Sequence, residues 1–140
     1  MYIDTSVIVK LLVKEPETLF FQENLLGEKL CTSELSNTEV WSALLAKERN
    51  GQISNDQRKE AWIVFNEKIL SRQITILTLD STALKKANQC LESCHPNVPM
   101  RALDAIHIAS CDLAQDFPLC TSDKRMREAA KILHIPVFPE

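Results

Sequence analysis

Short apolar runs alternate along the chain with longer segments whose apolar residues recur every three or four positions, a pattern that predicts strands separated by helices. Met1-Tyr2-Ile3 reads as a brief first strand, followed by an apolar helix from Ser6 to Val13, a break at Glu15-Pro16, and a second amphipathic piece to Leu26 and Gly27. Lys29 to Thr32 reads as the second strand. Glu34 to Asn50 is helical, Gly51 stops it, and Ser54 caps another helix through Leu70, so the two helices form a hairpin. Ile74 to Leu79, rich in β-branched residues, is the third strand, and Asp80 with Ser81 caps a helix to about Cys94. After the loop His95 to Pro99 come a helix (Leu103 to Ala114), strand four (Pro118 to Thr121), a helix (Lys124 to Leu133) and strand five (Pro136 to Phe138). Parallel neighbours require crossover connections, so strands separated throughout by helices imply an α/β fold, a parallel sheet covered on both faces. No repeat or linker interrupts 1–140, which reads as a single domain.

Composition narrows the class. With 140 residues, 45% of them hydrophobic and 25% charged, the chain can support its own core, and global disorder is excluded. Five cysteines without a CxxC pair fit buried thiols in a reducing compartment better than a disulfide framework. An acid at position 4 and no apolar run of about 18 residues argue against a secretory signal or a membrane span, so the expected location is the cytoplasm. The net charge of −3 offers no global attraction to nucleic acid; polyanion binding would need a local basic patch or a bound cation. With glycine only at 27 and 51, neither GxGxxG, GxxxxGK[ST] nor GxSxG can be written.

In an open α/β sheet the ligand site lies beyond the carboxyl ends of the strands, where strand order reverses. Asp4 ends strand one and Asp123 ends strand four; each is also an ordinary helix cap. Asp104 opens an almost uncharged helix, where an acid complements the helix dipole. Glu39 falls on a helical stripe with Leu35, Ser42, Ala43 and Ala46, which predicts an inward carboxylate in need of a partner, a solvated edge position being the alternative. If the four converge, their repulsion is large: two unit charges about 4 Å apart interact by about 4 kcal/mol at an effective dielectric near 20. Such a cluster needs a cation or raised pKa values, and carboxylates alone suit Mg²⁺ or Mn²⁺.

At these residues the chain resembles the PIN-domain ribonucleases, and within them the VapC-like toxins of toxin–antitoxin pairs. The resemblance rests on Ile3-Asp4-Thr5-Ser6, Ser33-Glu34-Leu35 through Glu39-Val40-Trp41-Ser42-Ala43-Leu44, Leu103-Asp104-Ala105-Ile106-His107-Ile108-Ala109 and Thr121-Ser122-Asp123-Lys124-Arg125-Met126. It implies a three-layer α/β/α fold with a five-stranded parallel sheet of order 3-2-1-4-5 and the site where strands one and four meet. It matches Asp4, Glu39, Asp104 and Asp123 to the family's acidic quartet, with Asp4 and Asp104 the firmest ligands of Mg²⁺ or Mn²⁺, and Ser6 and Thr121 to the hydroxyls that hold them. Only three residues precede Asp4, a departure from the family, whose first strand is commonly somewhat longer.

What the resemblance implies in function is a metal-dependent endoribonuclease toxin that hydrolyses RNA with metal-activated water, forms a homodimer, and is silenced by a VapB-like antitoxin covering the groove. Arg101, Lys124, Arg125 and Arg127 lie beside the expected site and can hold flanking phosphates, although a solvated helix face explains each equally well. His107, one turn after Asp104, reads foremost as a satisfied helix histidine. Two other readings compete: a phosphoryl-transfer domain of phosphatase or receiver type, and a PIN-like RNA- or protein-binding module without catalysis. The first fits poorly, because a dehalogenase-like phosphatase wants an acid where Ser6 stands and a receiver wants a lysine after the last strand, where Pro139-Glu140 stands.

Overall fold

The computed structural model describes residues 1–140. Five parallel strands, β1 (Tyr2–Ile3), β2 (Leu30–Ser33), β3 (Ile74–Leu77), β4 (Leu119–Cys120) and β5 (Val137–Phe138), form one sheet in the order β3-β2-β1-β4-β5. Helices α1 (Thr5–Leu12), α2 (Thr18–Asn24), α3 (Leu35–Arg49), α4 (Asn55–Leu70), α5 (Ser81–Cys94), α6 (Ala102–Ala114) and α7 (Lys124–Ile132) make the crossovers. The α/β class and strand order agree with the sequence expectation.

Side-chain alternation along the strands divides the core in two. Tyr2, Cys31 and Leu119 face a cluster with Ala105, Ile108, Met126 and Ala129 of α6 and α7. Their neighbours Ile3, Leu30 and Cys120 face the opposite cluster, with Val7, Phe21, Val40, Leu44 and Phe65 of α1 to α4. All five cysteines are free and buried in these layers. Burial pushes the Cys31 and Cys120 thiols up to about 12, so they act as small apolar groups.

The expected hairpin is α3 and α4. Ser54 caps α4 by accepting from the Gln57 N–H while the Gln57 side chain accepts from the Ser54 N–H, a reciprocal capping box. Trp41 meets Trp62 edge-on, ring centroids 4.7 Å apart, and the Arg58 guanidinium lies 5.1 Å from the Trp41 ring centroid. Gly51, at φ 73°, supplies the left-handed turn that ends α3.

Two expectations need correction. Strand β3 stops at Leu77, not Leu79, because its partner β2 ends at Ser33; Glu34 then turns away, and its carboxylate accepts from the Leu79 N–H. On α3 the buried row is Ser36, Val40 and Leu44, one position away from the expected stripe. Ser42 is exposed and Glu39 half-buried, because α3 turns the row through Ser36, Val40 and Leu44 onto the core and leaves the neighbouring row at its flank.

Phe65 is fully buried against the sheet and lies 5.7 Å from the Trp62 ring. Phe65→Ala is expected to cost about 3–5 kcal/mol of folding stability, read from urea unfolding. A loss under about 1 kcal/mol would mean that α4 collapses into the space and that the hairpin is less rigid than its packing indicates.

Candidate active site

Register brings the first two acids together. Ile3 of β1 is level with Cys120 of β4, and the Asp4 N–H donates to the Cys120 carbonyl at 3.1 Å, so the residues after both strands share one corner of the sheet. Asp4 is 3% exposed. Its Oδ1 accepts from the Ser6 hydroxyl at 2.7 Å and the Val7 N–H at 3.1 Å, and its Oδ2 accepts from the Thr121 hydroxyl at 2.6 Å. Burial pushes the Asp4 carboxyl above its ordinary range, and the hydrogen bonds from Thr121, Ser6 and Val7 offset only part of that.

Asp123 caps α7 through Oδ1, which accepts from the Met126 N–H at 3.0 Å, and its own N–H donates to Thr121 Oγ1 at 3.0 Å. Capping and clustering therefore coexist at Asp4 and Asp123. Asp104 sits in the first turn of α6; Arg101, the residue preceding that helix, places its guanidinium 3.3 Å from Asp104 Oδ2 and 3.9 Å from Asp123 Oδ2. One turn further along α6, His107 Nε2 lies 2.5 Å from Glu39 Oε1, which also accepts from the Thr5 hydroxyl at 2.8 Å. Burial raises the Glu39 carboxyl, but the hydrogen bonds from His107 and Thr5, together with nearby positive charge, outweigh it and leave the group below its ordinary range.

Asp4, Asp123 and Asp104 thus form one linked group, with Glu39 held apart from it by its own partners. Thr121 joins Asp4 to Asp123, Arg101 joins Asp123 to Asp104, and His107 and Thr5 tie Glu39 to α6 and α1. No three of the chain's His, Cys, Asp or Glu side chains stand close enough to ligate an ion as they are. Mutual repulsion explains the spread, since ionised carboxylates close up only around positive charge. The residues nevertheless fit a hard divalent cation. The donors are all carboxylate oxygens, Arg101 already supplies positive charge between two of them, and Glu39 Oε2 and Asp104 Oδ1 accept no hydrogen bond from the chain.

The remaining predicted residues occupy varied places. Ser6 and Thr121 hold Asp4, and Ser6 Oγ in turn lies 3.0 Å from Ser122 Oγ. Arg101 is exposed and turned onto the acids. Arg125 is exposed and donates to the Pro99 carbonyl; Arg127 donates to the carbonyls of Thr121 and Pro139. Lys124 is exposed at the start of α7. Tyr2 and Ser36 also touch these residues and escaped the sequence reading, because Tyr2 meets His107 105 residues away and Ser36 meets Thr5 31 residues away.

A sequence profile of the PIN domain matches residues 1–132. The chain belongs to the PIN-domain family. It is 34% identical to Ribonuclease VapC46 of Mycobacterium tuberculosis (strain ATCC 25618 / H37Rv) over 141 residues, covering 99% of this chain and 95% of that protein. Its fold is similar to that of FitAcB from Neisseria gonorrhoeae in the crystal, with a TM-score of 0.70 at 18% identity over 98% of this chain and 95% of the other. Within this PIN fold the acid cluster lies at the switch point of the sheet, where β1 is flanked by β2 and β4. The larger clefts lie elsewhere: one of about 370 Å³ between the end of α1 and α4, and one of about 480 Å³ between α1 and α2.

Because Asp4 has a raised folded pKa, its contribution to stability is full below the unfolded pKa and is lost as pH rises through the folded value. In EDTA, the melting temperature of Asp4→Asn relative to wild type is therefore expected to rise as the buffer goes from acid to neutral. An offset independent of pH, measured by thermal denaturation, would show that the burial of Asp4 exerts no such effect.

Proposed function

We propose that this PIN-domain chain, taken as one domain over 1–140, is a Mg²⁺- or Mn²⁺-dependent endoribonuclease and the toxin of a toxin–antitoxin pair. The linked placement of Asp4, Asp123 and Asp104 at the switch point, with Glu39 held beside the same helix α6, is the observation that supports the reading. The relationship to Ribonuclease VapC46 supports RNA as substrate. Asp4 and Asp104 would hold the cation directly, and Glu39 and Asp123 directly or through water. When bound, it supplies an activated water and neutralises charge on the scissile phosphate.

The chain's own residues do the positioning. Ser6, Val7 and Thr121 fix both oxygens of Asp4, which also makes it a poor covalent acceptor of a phosphoryl group. The hydroxyls of Thr5, Ser6 and Thr121 each donate to a carboxylate and so serve to hold the acids, and the nucleophile in this reading is water. Arg101, exposed and reaching two acids, is placed to pass from carboxylate to phosphate, and Lys124 and Arg125 extend that basic edge. A cluster outside the larger clefts suits a polymer laid across the surface better than a small molecule enclosed in a pocket.

A VapB-like antitoxin and a homodimer complete the reading. Exposed Leu19 and Leu26 near α2, and Ile63 and Leu70 on α4, supply apolar surface for protein partners. No helix is long and apolar enough to cross a membrane, which is consistent with action in the cytoplasm.

Cleavage of end-labelled structured RNA tests the reading. Activity should require Mg²⁺ or Mn²⁺, vanish in EDTA, and fall at least about 100-fold in Asp4→Asn and Asp104→Asn, the scale of losing one preorganised electrostatic group from a transition state. Arg101→Ala should weaken RNA binding and reduce its salt dependence. Activity that survives EDTA and both acid variants would overturn the proposal.

A further inference from the structure

The structure contains a buried chain of hydrogen bonds that neither the capping of helices nor the holding of Asp4 requires. Tyr2 is completely buried in the central strand, and its hydroxyl lies 2.8 Å from His107 Nδ1. The same oxygen accepts from the Ser33 N–H at 3.1 Å. His107 is itself 3% exposed, and its other nitrogen meets Glu39 Oε1.

Proton accounting orders this chain. The Tyr2 oxygen already receives the Ser33 N–H, and the acceptor within reach of its own proton is His107 Nδ1. A tyrosine hydroxyl carries its proton at neutral pH, so Tyr2 is the donor of this pair. His107 Nδ1 then accepts, the imidazole proton resides on Nε2, and Nε2–H donates to the Glu39 carboxylate, a group that can only accept. Thr5 donates to the same oxygen, so Glu39 Oε1 is occupied twice and Oε2 is turned free.

We propose that Tyr2 and His107 are positioning residues: Tyr2 selects the Nε2–H tautomer of His107, and His107 thereby orients Glu39 so that Oε2 alone is offered to the cation or its water. This deepens the proposed function and rests on its reading of Glu39 as a ligand. It parallels the way outer hydrogen bonds fix ligand orientation in other metal sites, where losing one costs about 10- to 100-fold in metal affinity or activity. Tyr2 reaches the ligand only through His107, so its removal should act through tautomer and orientation, not contact.

The test is a double-mutant cycle read by Mn²⁺ binding to the RNA-free protein, followed by electron paramagnetic resonance, and by ¹⁵N–¹H correlation of the histidine ring. In wild type His107 should give the signature of the neutral Nε2–H tautomer, and Tyr2→Phe, which keeps the ring packing, should lose it. Tyr2→Phe should weaken Mn²⁺ binding about 10-fold or more and lower kcat with little change in KM for RNA. In a His107→Gln background, where a side-chain amide donates to Glu39 without a tautomer to select, Tyr2→Phe should have no further effect. Equal penalties in both backgrounds would mean that the hydroxyl serves packing alone, and would overturn the proposal. Should Tyr2→Phe fail to fold, the wild-type ring signal decides: an Nδ1–H tautomer overturns the relay. Asp4→Asn separates the two readings. If it abolishes Mn²⁺ binding while Tyr2→Phe binds as wild type, the relay falls and the nuclease stands. If it binds Mn²⁺ normally, the nuclease assignment falls, and the ordering of Tyr2 and His107 is judged by the ring signal alone.

Discussion

A charge held out of water at the end of the central strand governs the rest of this structure. Asp4 follows a strand of only two residues, sits beneath the surface, and is surrounded by donors from its own helix and from the turn after β4. An isolated carboxylate there would be costly to ionise, so the neighbouring hydroxyls are structural necessities before they are catalytic aids. Thr121 shows the economy of the arrangement: one hydroxyl donates to Asp4 and accepts from the backbone of Asp123, so the second acid's placement depends on the first. Removing this contact would unseat both.

The same constraint accounts for the partial opening of the acid cluster. Four acids at one corner repel, and the chain answers with a single exposed guanidinium shared by Asp104 and Asp123 and with the imidazole beside Glu39. The guanidinium is a modest compensation, since an exposed ion pair is screened by water and contributes little to stability, and the imidazole acts by hydrogen bonding to Glu39. The protein therefore trades stability for a site in which positive charge is in short supply, the usual relation between a functional cluster and the fold that carries it. The apolar layers on either face of the sheet, from Tyr2 and Leu119 on one side to Phe65 and Leu44 on the other, supply the compensation.

How much of this was legible in the sequence varies with how local its cause is. The strands and helices follow from periodicity and caps, and the caps at Asp4, Ser54, Asp80 and Asp123 form where the sequence places them. Asp4, Asp104 and Asp123 could be singled out because strand ends and helix starts are local features. The rotation of α3 could not: its buried row of Ser36, Val40 and Leu44 is chosen by what α1 and the sheet present to it, and a stripe drawn through Glu39 and Ala43 looked equally good. The role of Tyr2 was hidden for a stronger reason. Tyr2 reads as a core aromatic; only the juxtaposition of β1, β2 and α6 gives its hydroxyl work.

The bond from Thr121 to Asp4 spans 117 positions of the chain, and it closes the site from its two ends. A ribosome must therefore deliver β4 and the turn after it before the first acid acquires this partner. Until then the emerging chain holds Asp4, Glu39 and finally Asp104 as scattered acids on an unfinished sheet. Translation thus carries its own delay, because the corner around Asp4 is not assembled until the turn after β4 has emerged.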